Sequence, residues 1–368
     1  MTTRRNMLVG AGVLGGGAIA STLAKPAIAQ SSPEIRWRLA SSYPKSLDTV
    51  FGASELVSQM VSKATGGKFT IQVFAAGEIV PAFQVFDAVS NGTVQCGHTA
   101  SFFYWGKEPA LAFDYTIPFG LNARQHNAWY LYGGGRQQIQ DVLNPYGITS
   151  YACGNFGGQM GGWFRNEIKT PEDFSGLKMR IGGFAGAMLA KVGGVPQNIP
   201  AGDIYPALER GTIDACEWVG PYDDEKLGFY RIAKNYYYPG WQEGSGQISL
   251  YVNSKALSAL PGEYRAALEQ ACLAAHVLTQ AKYDHLNPIA LRDLVAKGAV
   301  LRAFPKPVLD RLFAATNEVL DEQAAKNAHF KKILDSWRPY QREISSWFVI
   351  GEQYFDSYVA QALRNSPR

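Results

Sequence analysis

Tyr205-Pro-Ala-Leu-Glu-Arg-Gly211-Thr212-Ile213 reads as a helix that ends on a glycine and runs into a strand, and Phe86-Asp-Ala-Val-Ser-Asn-Gly92-Thr93-Val94 reads the same way much earlier in the chain. Each copy is preceded by an isoleucine and a proline, Ile79 and Pro81 in one, Ile199 and Pro200 in the other. Glycine at a helix C-terminus supplies the left-handed turn, and the β-branched residues after it favour extended chain. One copy alone could be an ordinary helix-to-strand join. Two copies in separate α/β stretches point to two lobes of related build.

The flanking sequence extends both units. Ile35, Trp37 and Leu39 alternate with charged residues, a strand pattern; a helix follows from about Thr49 to Thr65, ended by Gly66-Gly67; Lys68 to Phe74 alternates again. Strand, helix, strand in that order implies a right-handed parallel crossover. Around the second copy, Leu177 to Ile181 and Ile213 to Glu217 read as strands, as do Tyr236 to Pro239 and Ile248 to Asn253. Between the two units, Gly154 to Gly162 carries five glycines around Asn155 and Gln159, which fits a hinge or a ligand-facing strand end, with a plain loop as the alternative. Beyond Pro261 the chain is helical: Gly262 to about Lys297, Val308 to about Leu334, and an aromatic amphipathic tail from Tyr340 to Leu363. That tail must bury its apolar face on its own body or on a second copy.

The ends and the composition limit the function. Arg4-Arg5 precede a glycine-rich apolar run, and Ala27-Ile28-Ala29 is an A-x-A cleavage signature, so residues 1–29 read as a twin-arginine export signal cut after Ala29; an ordinary secretory signal is the alternative. Removing Arg4, Arg5 and Lys25 with it brings the formal charge from +4 to +1. A near-neutral balance without a basic run speaks against nucleic acid. Hydrophobic content of 46% is enough for two sizeable cores. Cys96, Cys153, Cys216 and Cys272 are widely spaced among apolar neighbours and read as buried free thiols, with a disulfide as the alternative in an oxidising compartment. The five histidines never pair at ligand spacing, and no nucleophile elbow, zincin helix or phosphate loop is present.

Three segments carry polar chemistry. In Pro171-Glu-Asp-Phe-Ser-Gly-Leu-Lys-Met-Arg180-Ile181 a turn feeds a strand that ends on an arginine among apolar residues. A guanidinium there can meet a carboxylate with two parallel hydrogen bonds, and strand ends are where open α/β sheets bind ligands. Ile213-Asp-Ala-Cys-Glu217-Trp218 puts a carboxylate and an indole at another strand end. Glu217 is either an ion-pair partner or an oxygen ligand for sodium or calcium. Ser101-Phe102-Phe103-Tyr104-Trp105 offers an aromatic wall, some of it core.

These segments, with Tyr237-Tyr238-Pro239-Gly240-Trp241-Gln242-Glu243, resemble the periplasmic solute-binding subunits of tripartite ATP-independent (TRAP) transporters over nearly the whole mature chain, and within them the branch that binds 2-oxo acids. The resemblance implies an α/β, two-lobed periplasmic solute-binding fold with crossing strands, a long lobe-spanning helix and a C-terminal helix. It implies lobes of residues 30–153 with about 247–285, and 154–246 with about 286–338, followed by a C-terminal helix over 339–368 that pairs two copies as a homodimer. Arg180 matches the family's carboxylate clamp. Gln159, Glu217, the backbone oxygen of Trp218 and Glu243 fall where metal ligands would be, with Gln242 competing with Glu243 for that place. Gln159 and Trp218 would also meet the ligand, Phe103 and Tyr104 would line it from the first lobe, and Asn155 would add a hydrogen bond.

The expected function is periplasmic capture of a small 2-oxo or 2-hydroxy monocarboxylate together with a sodium or calcium ion, for delivery to membrane transporter subunits, with no catalysis. The competing classes are an exported metal-dependent enzyme acting on a carboxylate and a ligand-sensing subunit of a membrane receptor. Arg180→Ala is expected to abolish binding while leaving unfolding of the unliganded protein nearly unchanged, Glu217→Ala to remove the cation dependence, and loss of everything after Tyr340 to give monomers.

Overall fold

The structure of the protein is a computed structural model that describes residues 33–366. The expected signal segment, with Arg4, Arg5 and the cleavage point after Ala29, lies outside the described residues. Two mixed sheets organise the remainder. Strands β1 (Ile35–Ser41), β2 (Phe69–Phe74), β3 (Cys96–Thr99) and β4 (Ile148–Asn155) join β10 (Gln247–Asn253) in the order β2-β1-β3-β10-β4. Strands β5 (Gly162–Phe164), β6 (Lys178–Arg180), β7 (Val195–Gln197), β8 (Ala215–Cys216) and β9 (Asn235–Tyr238) join β11 (Val300–Ala303) in the order β7-β6-β8-β5-β9-β11.

The sequence echo is a topological repeat. β1 lies between β2 and β3 and is parallel to both; β6 lies between β7 and β8 and is parallel to both. Each trio then meets an antiparallel strand, β10 beside β3 and β5 beside β8. The echoed segments are the helix Val85–Ser90 leading into β3 and the helix Ala201–Glu209 leading into β8. Gly92 at φ +80° and Gly211 at φ +72° make the left-handed turn in each.

Alternation packs both sheets. Leu39, Phe69, Leu250 and Val252 meet Val57 and Val61 of the helix Val50–Ala64 and Leu268 and Ala275 of the helix Gly262–Ala296. In the second sheet Phe164, Met179, Ala215 and Tyr237 face one side, and Trp163, Cys216 and Tyr236 the other, so both faces are covered. Each large apolar side chain so buried contributes about 1.5–3 kcal/mol. Helix Gly262–Ala296 packs along β4 and Val50–Ala64, then reaches the helix Pro221–Leu227, where Asn287 Oδ1 accepts the Tyr222 N–H at 3.1 Å. The four cysteines are buried free thiols.

Two helical expectations are corrected. The helix expected over 308–334 is broken into Lys306–Lys326 and Ala328–Phe348. Asn327 between them is extended at φ −130°, and its Oδ1 accepts the Phe330 N–H at 2.8 Å. A side chain that caps a new helix stops the old one. The terminal helix therefore starts at Ala328, not 339, and runs through one π turn at Val349–Gln353 into Tyr354–Asn365. No helix among the described residues is long and apolar enough to cross a membrane.

Candidate ligand site at the strand ends

Both sheets aim the carboxyl ends of their parallel strands at one cavity, of about 220 Å3 counted as all space not filled by atoms. Tyr43 follows β1, Ala100 to Phe103 follow β3, Arg180 ends β6, and Trp218 follows β8. Ligands of open α/β sheets lie outside these ends because the crossovers leave a crevice there. Phe102, Tyr115 and Phe156 add further rings. The room left for a water-sized molecule is only about 10 Å3, so the walls are closed on one another.

Local interactions fix the walls. Asp114 is fully buried and accepts from Ser249 at 2.8 Å, from Gln247 at 3.2 Å and from the Ser101 hydroxyl. It thereby locks Tyr115 beside the Ser101–Tyr104 turn. Gly183, at φ +58°, lies against Phe102, where a Cβ would come within 2.9 Å of the ring. Gly162, at φ +109°, lets β5 approach β8 so closely that a Cβ would stand 2.6 Å from the Cys216 carbonyl. Gly183 lets the second half meet the Phe102 turn of the first, and Gly162 lets two strands of the second sheet close on each other.

Arg180 is the polar centre. It is 1% exposed. Nε donates to the Ile199 carbonyl at 3.0 Å, and Nη1 donates to the Glu217 carbonyl at 2.9 Å and to its carboxylate Oε1. The guanidinium stands 5.0 Å over the Trp218 ring, a cation–π contact. Nη2 is buried without a partner. A buried donor left unmade costs the desolvation of that group, so it marks the place where an acceptor belongs.

Beside the arginine lie two carboxylates. Glu243 Oε2 accepts from the Tyr115 hydroxyl at 2.8 Å and from Gln159 Nε2 at 2.7 Å, and Gln159 Oε1 is buried without a partner. Burial pushes the Glu217 carboxyl up to about 7, against the pull of Arg180. Burial, then the nearby charge of Glu217, push Glu243 up to about 8. Once both acids are ionised they outweigh the one guanidinium, and their raised values show how poorly this site holds that negative charge without a further cation. A hard cation with oxygen ligands offsets that charge, and Gln159 Oε1, Glu217 and Glu243 are oxygen donors suited to it. Among the described residues no three His, Cys, Asp or Glu cluster as a metal site, so such an ion would lean on amide and backbone oxygens as well.

The sequence-derived residues sort unevenly. Arg180, Phe103 and Trp218 line the cavity, and Gln159 and Glu243 meet through a hydrogen bond. Gln242 turns the other way, donating to the Met160 carbonyl at 2.8 Å, so Glu243 is the one directed at Gln159 and Tyr115. Asn155 accepts the Gly157 N–H at 2.8 Å, shapes the crossing and is not among the cavity walls; its Nδ2 is buried without a partner. Tyr104 is corrected to core. Its hydroxyl is 2.8 Å from Thr99 Oγ1 and accepts the Phe86 N–H at 3.2 Å, and the ring packs on Phe86 and Tyr251. Phe102 takes the place foreseen for it. Tyr43, Tyr115 and Phe156 were not foreseen. Tyr43 sits just past a strand end, which is a usable signal; the other two look like core residues in sequence.

A family model described as bacterial extracellular solute-binding protein, family 7, matches residues 40–327. A monocarboxylate 2-oxoacid-binding periplasmic protein of Nostoc sp. is 43% identical over 90% of each chain. A TRAP transporter solute-binding protein from Bordetella bronchiseptica, a dimer with copurified calcium and picolinate in one site, is 51% identical with a TM-score of 0.90, over 91% of this chain and 100% of that one. A TRAP periplasmic solute-binding protein from Pseudoalteromonas atlantica, with bound sodium and pyruvate, is 41% identical with a TM-score of 0.85, over 88% of this chain and 99% of that one. The corresponding protein from Colwellia psychrerythraea, with calcium and pyruvate, is 39% identical at the same TM-score, over 88% and 99%.

Proposed function

We propose, from the premise that the chain belongs to bacterial extracellular solute-binding protein family 7, that it captures a small 2-oxo or 2-hydroxy monocarboxylate with a sodium or calcium ion for a TRAP-type membrane transporter. The observation that carries this reading is the unpartnered Nη2 of Arg180, buried at the edge of a small aromatic cavity beside two carboxylates. The ligand carboxylate accepts from that nitrogen. The cation is held by Glu217, Glu243, Gln159 and the backbone oxygen of Trp218, and supplies the positive charge that lets a third carboxylate enter. Pyruvate and picolinate, found in the relatives, share an acceptor atom on the carbon next to the carboxylate, which suits a ligand that shares the cation with the protein. The tight cavity favours short side chains. Export through residues 1–29 by the twin-arginine route, and lobes of 30–153 with about 247–285 and 154–246 with about 286–338, belong to the same reading.

The test is thermal unfolding of protein stripped of ligand by unfolding and refolding, with pyruvate, lactate, branched 2-oxo acids, C4 dicarboxylates and sugar acids, each with sodium, calcium or chelator. A ligand that binds only the folded state at 100-fold above its Kd adds about 2.7 kcal/mol. The expected result is a rise with short 2-oxo acids that needs the cation. A rise with dicarboxylates alone, or none with any acid, would refute the assignment.

The terminal helix supports a homodimer. Trp347, Ile350, Tyr354, Phe355 and Tyr358 are 62–79% exposed, and no residue from Val349 to Asn365 is buried. An aromatic face of this extent needs a cover, and a second copy provides the same face in return. Gln341 Nε2 donates to the Phe119 carbonyl at 2.9 Å and Ile344 packs on the core, so a cut after Tyr340 would disturb the body. Ile350→Glu with Phe355→Glu is the cleaner test. Sedimentation is expected to show a dimer for the wild type and a monomer for the variant; a wild type already monomeric at micromolar concentration would rule the helix out as a dimer element.

A further inference from the structure

The Trp218 wall of the cavity is tied to the opposite half of the molecule by one buried carboxylate. Asp223 is 0% exposed. Its Oδ2 accepts the Trp218 indole N–H at 3.3 Å and the Tyr283 hydroxyl at 2.6 Å, and its Oδ1 accepts the Thr49 hydroxyl at 2.7 Å. Thr49 stands at the head of the helix Val50–Ala64, which covers the first sheet, and Tyr283 lies on the long helix. The two hydroxyls are 2.9 Å apart, so four side chains from three separate parts of the chain close one network. The neighbouring Asp224 differs. It accepts from Trp163 at 3.0 Å and from Tyr236 at 2.7 Å, both in the second sheet, and from the Val219 N–H at 3.5 Å, so all its partners lie in that half.

We infer that Asp223 is a positioning residue of the ligand site, holding the Trp218 indole against the cavity only while Thr49 and Tyr283 are docked on it. This rests on the ligand-capture reading. Around Asp223 the seam between the halves is polar, beside rings such as Tyr43 and Trp218 that also meet across it, and outside it Asp48 takes Lys282 at 2.8 Å, Tyr222 at 3.2 Å and Lys226 on an accessible rim. Polar partners that separate can be hydrated, whereas an apolar seam would resist opening. Such a seam suits halves that must part to admit a ligand and close on it. Trp218 carries the coupling, because the same indole lies beneath the Arg180 guanidinium.

Thr49→Val and Tyr283→Phe each remove one donor without changing bulk. Three measurements decide the matter: thermal unfolding with and without pyruvate and calcium, pyruvate release followed by tryptophan fluorescence, and solution scattering of the ligand-free protein. Each variant is expected to release pyruvate about tenfold faster, with association unchanged and ligand-free unfolding close to wild type. Ligand-free scattering is expected to shift to a larger radius of gyration. Asp224→Asn is expected to lower unfolding equally with and without ligand and to leave release unchanged. Equal loss of unfolding temperature with and without ligand in Thr49→Val and Tyr283→Phe, with unchanged release, would overturn the clasp and leave those residues structural. If wild type does not bind pyruvate with calcium, the capture reading fails by itself. The scattering arm still decides the clasp, since unchanged ligand-free scattering in both variants overturns it.

Discussion

Arg180→Lys is expected to lose pyruvate affinity by at least about 100-fold while the ligand-free protein unfolds near the wild-type temperature. Lysine keeps a positive charge for Glu217 but replaces a fixed fork of N–H donors by one ammonium, and so cannot serve Glu217, the Ile199 carbonyl and a ligand together. Arg180→Ala behaves differently from the sequence-based expectation of unchanged unfolding. Arg180 and Glu217 are 1% and 3% exposed at their side chains. Removing one partner of a buried pair costs about 3–5 kcal/mol because the other charge is stranded. Glu217 escapes part of that by taking a proton, since its carboxyl is already pushed up to about 7. A loss near the lower end of that range, or about 5–10 °C, is expected for Arg180→Ala. Calorimetry of both variants with and without pyruvate separates the effects. Lysine or alanine variants that bind pyruvate within tenfold of wild type would dismiss Arg180 as the carboxylate clamp.

The parts of the fold legible in sequence were those where one local signal has one structural meaning. Gly92 and Gly211 each need a left-handed turn between a helix and a strand, so the repeated unit could be read from the chain. Asn327 shows the opposite case. The apolar spacing on either side of it fits a single helix, and only the side-chain cap decides that the chain breaks there. In the site, Arg180, Glu217 and Trp218 were legible because they sit in register at the ends of strands that pair with each other, β6 with β8. The aromatic run after β3 was not. Phe102, Phe103 and Tyr104 occupy one tight turn, and their ring directions depend on Phe86, Tyr251 and Tyr115, residues distant in sequence. Composition places rings near the ligand; tertiary packing decides which ring faces it.

Calcium affinity of the ligand-free protein is expected to climb steeply between pH 5.5 and 8 and then level. Burial, with the charge of Glu217 next, holds Glu243 near 8, and burial holds Glu217 near 7 against Arg180. Both stand above the unfolded value of 4.5. A raised folded pKa stabilises the folded state fully below the unfolded value, and that contribution fades as pH rises through about 7 to 8. Stripped protein should therefore unfold at lower temperature at pH 8 than at pH 5 as far as these two groups are concerned. The cation reverses the trend, because it competes with protons for the same oxygens. Each unit of pH below either pKa weakens binding by about tenfold per proton displaced. From pH 8 to pH 6 a loss of about 100-fold or more is expected, with between one and two protons released per calcium at pH 6. Titration calorimetry in two buffers of different ionisation enthalpy measures that release directly. Glu217→Gln should remove about one of the two protons and most of the calcium effect on pyruvate binding. Calcium affinity that stays level from pH 5.5 to 8 in the wild type would show that these carboxylates do not hold the ion, since no buried pair of acids can bind a cation without first giving up its protons.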